Sequence, residues 1–221
     1  PLLMPVVQYP DGEYHIDSTP IIRQVDALHG ADRSVRPASL ALVFINDLLE
    51  DFADEWLTKC LFHYRFSTDL DSAAGAAWVM DDSYPDLDQA MLDVRVKAFV
   101  ERQHERRPMV GCTLAHAHLF ESCFADVLAA LEAWVATDRF LFGSRPASAD
   151  FALYGQLRTL CADPTPAALM RAYAPRVRHW LGRVDDLSGV QGKWEPIDAV
   201  LTRLEPLLSL CGRYYLPFLQ A

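Results

Sequence analysis

Several signatures that announce common chemistries are missing from this chain. It has no C-x-x-C pair, no glycine-rich phosphate loop, no G-x-S-x-G elbow and no H-E-x-x-H helix, so no familiar catalytic or nucleotide-binding motif carries its function. Basic charge is scarce: 20 Lys and Arg stand against 30 Asp and Glu, for a formal net charge of -10. A phosphate-backbone partner needs a basic stripe, so a nucleic-acid role is not expected. No uninterrupted apolar run approaches membrane-spanning length and no signal peptide is visible, although the chain starts at Pro rather than Met and an upstream leader stays open. No membrane association is expected.

Cysteine is present but unpaired in pattern. Cys60, Cys112, Cys123, Cys161 and Cys211 are odd in number and widely spread, which reads as small apolar packing residues in a reducing cytoplasm. Cys112, His116 and His118 lie close in sequence, but an i, i+2 histidine pair on a helix points to different faces. No metal site is expected.

What is present is helical periodicity. From Ser39 to about Tyr64 the apolar residues Ile45, Leu48, Leu49, Phe52, Trp56, Cys60 and Tyr64 recur at three- and four-residue steps, the spacing of an amphipathic helix. Its other side carries Asp47, Glu50, Asp51, Asp54 and Glu55, read as a solvated face. A shorter helix is predicted over Asp69 to Met80. A long one opens at Pro85-Asp86 and runs to about Arg106, where Pro108 and Gly111 break it. Thr113 is placed as the cap of a third, reaching Ala136 with Leu114, Cys123, Val127, Leu131 and Trp134 inward. Further helices are predicted over Ser148 to Leu160, Ala167 to Ala172, Pro175 to Val184 and Ile197 to about Leu216. Long helices on short loops indicate a bundle, and the aromatic tail through Tyr214, Tyr215 and Phe218 is expected to pack over it.

The N-terminus is different. Met4-Pro5-Val6-Val7-Gln8-Tyr9-Pro10-Asp11-Gly12-Glu13-Tyr14-His15-Ile16 reads as strand, Asp-Gly turn, strand. Asp17-Ser18-Thr19-Pro20 then opens a helix to about Leu28, with a hydroxyl cap and a proline in the first turn. Pro5 removes a ladder donor, so its strand is an edge, a bulge or a cis-proline site. A lone hairpin is marginal in water, so a first half of the sheet is expected upstream of Pro1. His29 to Pro37 is polar and Gly-containing, a linker.

These residues resemble the glutathione S-transferase superfamily. In that family a Val/Met-Pro-Val strand with a cis proline and an acidic-Ser helix start form the glutathione-binding end of a thioredoxin-like domain. A second marker, Gly143-Ser144-Arg145-Pro146-Ala147-Ser148-Ala149-Asp150-Phe151-Ala152-Leu153-Tyr154, resembles the Ser/Thr-x-x-Asp cap box that opens a core helix of the family's C-terminal domain. Here Asp150 fits, but the cap position holds Ala147. The resemblance implies a mainly all-α fold, with a partial thioredoxin-like ββα segment (residues 1–29), a linker (30–38) and an all-helical glutathione-transferase-like C-terminal domain (39–221).

It further implies a glutathione site made from Met4, Pro5, Asp17 and Ser18, with glutathione as co-substrate. Met4 would pair with the cysteinyl amide, Pro5 would fix that geometry, and Asp17 with Ser18 would hold the γ-glutamyl end. The thiol-activating residue would precede Pro1, so no catalytic residue is named, and the chain alone is expected to be inactive. The implied reaction is conjugation of glutathione to a small hydrophobic electrophile, or thiol reduction of it, in a cytoplasmic homodimer. The alternative is a non-catalytic binding or scaffold module of the same fold. Trp56, His63 and Tyr64, near the family's electrophile pocket, read as core aromatics.

Overall fold

The computed structural model describes residues 5–30 and 32–220. These residues are mostly helical, with a single two-stranded sheet at the N-terminal end. Strand β1 (Val6–Gln8) pairs antiparallel with β2 (Tyr14–Ile16), placing Val6 opposite Ile16 and Gln8 opposite Tyr14. The turn closes through Tyr9 and Glu13, and Gly12 supplies the φ of 91° that the reversal requires. Asp11 accepts from the Glu13 N–H at 3.0 Å and stiffens it. Helix α1 (Ser18–His29) follows directly.

The connection after α1 is stitched down rather than loose. Asp26 on α1 accepts from Ser34 Oγ at 2.7 Å and from the Val35 N–H at 2.8 Å. The Val35 carbonyl in turn accepts from the Ser148 N–H at 2.9 Å, and Pro37 is buried. The segment expected as a linker therefore seats the N-terminal ββα unit on the helical body.

That body is a bundle. Helix α2 (Leu40–Asp51) begins at Ser39, whose hydroxyl caps the Leu42 N–H. It passes without a break into a π-helical stretch, Phe52–Leu57, and continues as α3 (Thr58–Ser67). The sequence predicts one amphipathic helix here. The structure gives one, with an extra residue wound into its middle. Apolar spacing alone does not reveal such an insertion, because Phe52, Ala53, Trp56 and Leu57 all remain buried across it. Such π segments are uncommon and favour functional sites.

Helices α4 (Asp69–Ser83), α5 (Gln89–Arg106), α6 (Ala117–Val135), α7 (Ser148–Leu160), α8 (Pro164–Tyr173), α9 (Pro175–Val184) and α10 (Ile197–Leu210) complete the bundle. The chain then makes a second π turn, Cys211–Tyr215, and ends in the short helix α11 (Leu216–Leu219). The core runs between α2, α3, α6, α7, α9 and α10, where Phe52, Leu57, Phe124, Leu131, Leu153, Leu157 and Trp180 are almost wholly enclosed. Helix α6 with its 3₁₀ lead-in is long and apolar enough to cross a membrane by length and composition, but here it is a bundle helix packed on α3, α9 and α10. Cys60, Cys112, Cys123 and Cys211 are buried packing residues, and all five cysteines are free thiols.

Three expected helix starts shift. Helix α5 opens at Gln89 because Asp88 accepts from the Met91 N–H at 2.9 Å, a better cap than Pro85-Asp86 offers. Helix α8 opens at Pro164, three residues before the predicted start, with proline in its first turn. Thr113 caps only a 3₁₀ turn (Leu114–His116), which swings Leu114 out to 81 % exposure, so Leu114 is not an inward residue.

Candidate functional site

Asp17 and Ser18 stand at the N-terminal end of α1, at the mouth of a cleft of about 830 Å³ between α1 and the first long helix. Two details of that corner come from the local chain. The cap is Asp17, not the expected hydroxyl: its Oδ1 accepts from the Thr19 N–H at 3.1 Å. Its backbone sits at φ 76°, ψ 126°, the one positive φ outside glycine among the described residues. A residue with a Cβ held there carries strain of roughly 1–3 kcal/mol, and such strain concentrates at ligand sites.

With Asp17 as cap, Ser18 becomes the first helical residue. Its hydroxyl makes no side-chain hydrogen bond among the described residues and lines the cleft, half-buried. Pro5 is exposed ahead of β1. Met4, and with it the Met4-Pro5 bond, lies outside the described residues. Asp17 and Ser18 are therefore the two predicted site residues that the structure brings together at one cavity.

The cleft's floor holds a feature that sequence reasoning missed. Glu50, expected on a solvated face, is only 6 % exposed. Its Oε1 accepts from Thr19 Oγ1 at 2.8 Å and its Oε2 from Ser148 Oγ at 2.5 Å. Asn46, one turn earlier and fully buried, donates to Ser148 Oγ at 2.7 Å and accepts from the Ala149 N–H at 3.1 Å. One polar chain thus ties the start of α1 to α2 and to the start of α7. Its signal was legible: Asn46 and Glu50 are spaced i, i+4 alongside Leu42, Ile45 and Leu49, on the inward side of the stripe. Ser148, the residue after the cap position, commits its hydroxyl to this network.

The electrostatics are one-sided. Asp17, Asp47, Glu50, Asp51, Asp54 and Glu55 line the cleft against a single cation, Arg23. Asp47 is neutralised by Arg23 at 3.3 Å and Arg36 at 3.1 Å, and Asp51 accepts from the Tyr215 hydroxyl. Burial pushes the Asp54 carboxyl up, a hydrogen bond from Gln156 pulls it down, and the charges of Glu50, Glu55 and Asp17 push it up again. The net rise comes first from burial, with the neighbouring carboxylates adding to it.

Chemically, the corner offers the Ser18 N–H, the one first-turn amide left after Asp17 takes the Thr19 N–H and Pro20 brings none, with an unengaged hydroxyl and adjacent carboxylates. That combination suits a zwitterionic α-amino-acid end: carboxylate on the helix start, ammonium on the acids. The family's aromatic candidates lie elsewhere. His63 is enclosed, bonded to Glu121 at 3.2 Å and to Ser67 Oγ at 3.1 Å, and its pKa is lowered by burial. Tyr64 packs edge-on against Phe124. Both are core residues, as the sequence reading has them. Among the described residues no three His, Cys, Asp or Glu side chains converge on a metal position. No protein-family model matches the chain, and no curated protein matches it.

Proposed function

We propose that this chain is the larger part of a glutathione-transferase-like protein. In it Asp17 and Ser18 hold the γ-glutamyl end of glutathione, and Pro5 with Met4 would serve the cysteinyl residue. The observation that carries the reading is the α1 corner: a strained acidic cap followed by a serine whose hydroxyl opens, unbonded, onto the cleft. The ββα order ahead of a helical bundle supports it, as does the half-filled cap box at Asp150. The reaction would be attack of the glutathione thiolate on a hydrophobic electrophile or on a disulfide. A donor aimed at the sulfur would keep it ionised.

A second reading is a binding module without turnover. The surplus of carboxylates favours it, because glutathione itself carries two and only Arg23 offers a side-chain cation. Calorimetric titration separates them. The full-length protein should bind glutathione, and Ser18→Ala there should cost about 1–3 kcal/mol, the scale of a hydrogen bond to a charged group. Equal affinity in parent and variant makes Ser18 a plain helix residue. No binding by the full-length protein removes the transferase reading in favour of the module.

A further inference from the structure

A second cavity, of about 370 Å³, opens on a different face of the first long helix, under the C-terminal helix α11. It shares no lining residue with the cleft at Ser18. Its walls are apolar and aromatic. Trp56 stands at their centre, its ring 5.8 Å from Phe120 and 5.4 Å from Phe218. The volume falls in the range of small-molecule sites, roughly 300–1,000 Å³. A neighbouring cavity of about 350 Å³, lined by Phe62, Phe66 and Phe99, meets it at Lys59 and Val110.

The charge of this region runs against that of the whole molecule. The chain has ten more acids than bases, yet among the described residues no carboxylate lines either cavity, while Lys59 and Arg213 line the first and Lys59, Arg65 and Arg106 the second. Two of these cations are already answered: Arg213 pairs with Asp126 at 3.2 Å and Arg65 with Asp163 at 2.9 Å. Arg106 is exposed to solvent and reaches only Gln103 Oε1, at 3.5 Å. Lys59 is half-buried and has no such answer. Among the described residues its ammonium meets no carboxylate. It donates to the Val110 carbonyl at 3.3 Å and lies 4.7 Å from the centroid of the Phe218 ring. A half-buried ammonium has three protons to give, and this one spends one of them, between two apolar chambers. An anion is the group that completes it.

We propose that the paired cavities around Lys59 form a binding site for a small aromatic carboxylate, the ring against the outer side of the packed Trp56–Phe120–Phe218 cluster and the carboxylate on Lys59 Nζ. The aromatic walls select a flat ring over a chain, because offset and edge-on ring contacts add to plain area burial. The site discriminates by charge: a neutral ring of the same size gains the apolar contact and forgoes the ion pair. This site stands independently of any glutathione binding at Ser18.

The test is a matched pair of probes, 2-naphthoate and its neutral counterpart 2-naphthalenemethanol, titrated by calorimetry into the protein and three variants. Naphthoate should bind more tightly than the alcohol. Lys59→Met, which keeps the apolar stem, should weaken naphthoate about tenfold or more while leaving the alcohol unchanged. Lys59→Arg should retain naphthoate binding. Ser18→Ala should leave both probes unaffected, which keeps the outcome separate from the glutathione reading. Thermal melts check that Lys59→Met is folded. Equal losses for both probes in Lys59→Met, tighter binding of the alcohol in the parent, or no binding of either probe would each overturn the proposal.

Discussion

Replacing Arg65 with Ala should lower the stability of this fold by about 3–5 kcal/mol, the cost of leaving a buried charge without its partner. Arg65 closes α3 and reaches the carboxylate of Asp163 in a two-pronged pair, with Nε at 2.9 Å from Oδ2 and Nη2 at 3.0 Å from Oδ1. Asp163 is 1 % exposed. Even with the guanidinium in place, burial outweighs the pairing and holds the Asp163 carboxyl above its ordinary range, so removing Arg65 strands the charge entirely. The pair also locks three helix ends. Asp71 at the start of α4 accepts from the Thr165 N–H at 2.7 Å and its hydroxyl at 2.6 Å, two residues beyond Asp163.

The Arg65 stem lies on Gly75 of α4, where a Cβ would fall 2.8 Å from Cγ and 2.7 Å from Nε. Gly75→Ala should therefore cost about 1–3 kcal/mol by displacing Arg65 without removing any charge. The decisive variant is the double replacement Arg65→Met with Asp163→Leu. It should be more stable than Arg65→Ala alone, since removing both charges also removes the burial penalty. Denaturant unfolding measures all three. A double variant no more stable than Arg65→Ala would show that the stranded charge is not what the single variant loses.

That ion pair illustrates where the sequence was mute. Asp163 was visible only as a residue between two predicted helices, and Arg65 as the residue after the apolar stripe that ends at Tyr64. Their meeting joins positions 98 apart in the chain, and no local pattern encodes it. By contrast, helix existence was legible almost everywhere, because three- and four-residue apolar spacing survives in any bundle. Boundaries were less so: Pro85-Asp86 and Asp88 both look like helix starts, and only the bond from Met91 to Asp88 chooses between them. Glu50 is a different case: its place on the inward side with Asn46 was legible, but the acidic run beside it pointed to solvent, and its partners Thr19 and Ser148 arrive from other helices. Asp17 and Ser18 were legible as a helix start. The strained backbone that makes Asp17 the cap was not, since nothing in Ile-Asp-Ser specifies a positive φ.

Asp150 gives the second large effect. Sequence placed it in a cap box at the start of α7, and the structure makes it more than a cap. Its carboxylate is wholly buried and accepts from the Ala147 N–H at 2.9 Å and from the Leu141 N–H at 3.0 Å. Ala147 has no side-chain oxygen to complete the box, and the Asp150 N–H bonds the Ala147 carbonyl at 3.0 Å instead. An exposed cap is worth about 1 kcal/mol. Asp150→Ala should cost about 2–4 kcal/mol, because it leaves two enclosed N–H groups without acceptors at 1–3 kcal/mol each. Ala147→Ser should stabilise by well under that, having only an already bonded N–H to reach.

The pH dependence has a definite sign. Burial pushes the Asp150 pKa from 3.8 to about 7, against the two backbone bonds that pull it down. A native pKa above the unfolded one means that the folded state binds more protons between those values. This carboxyl therefore contributes stability that is fully present below about pH 4 and is lost as pH rises through about 7, by at most about 1.4 kcal/mol per pH unit. Asp150→Ala lacks that slope. The stability gap between parent and variant should thus be wider at pH 5 than at pH 8, read from urea unfolding at both. A gap that widens with rising pH would mean that the Ala147 and Leu141 amides outweigh burial and hold the carboxylate ionised.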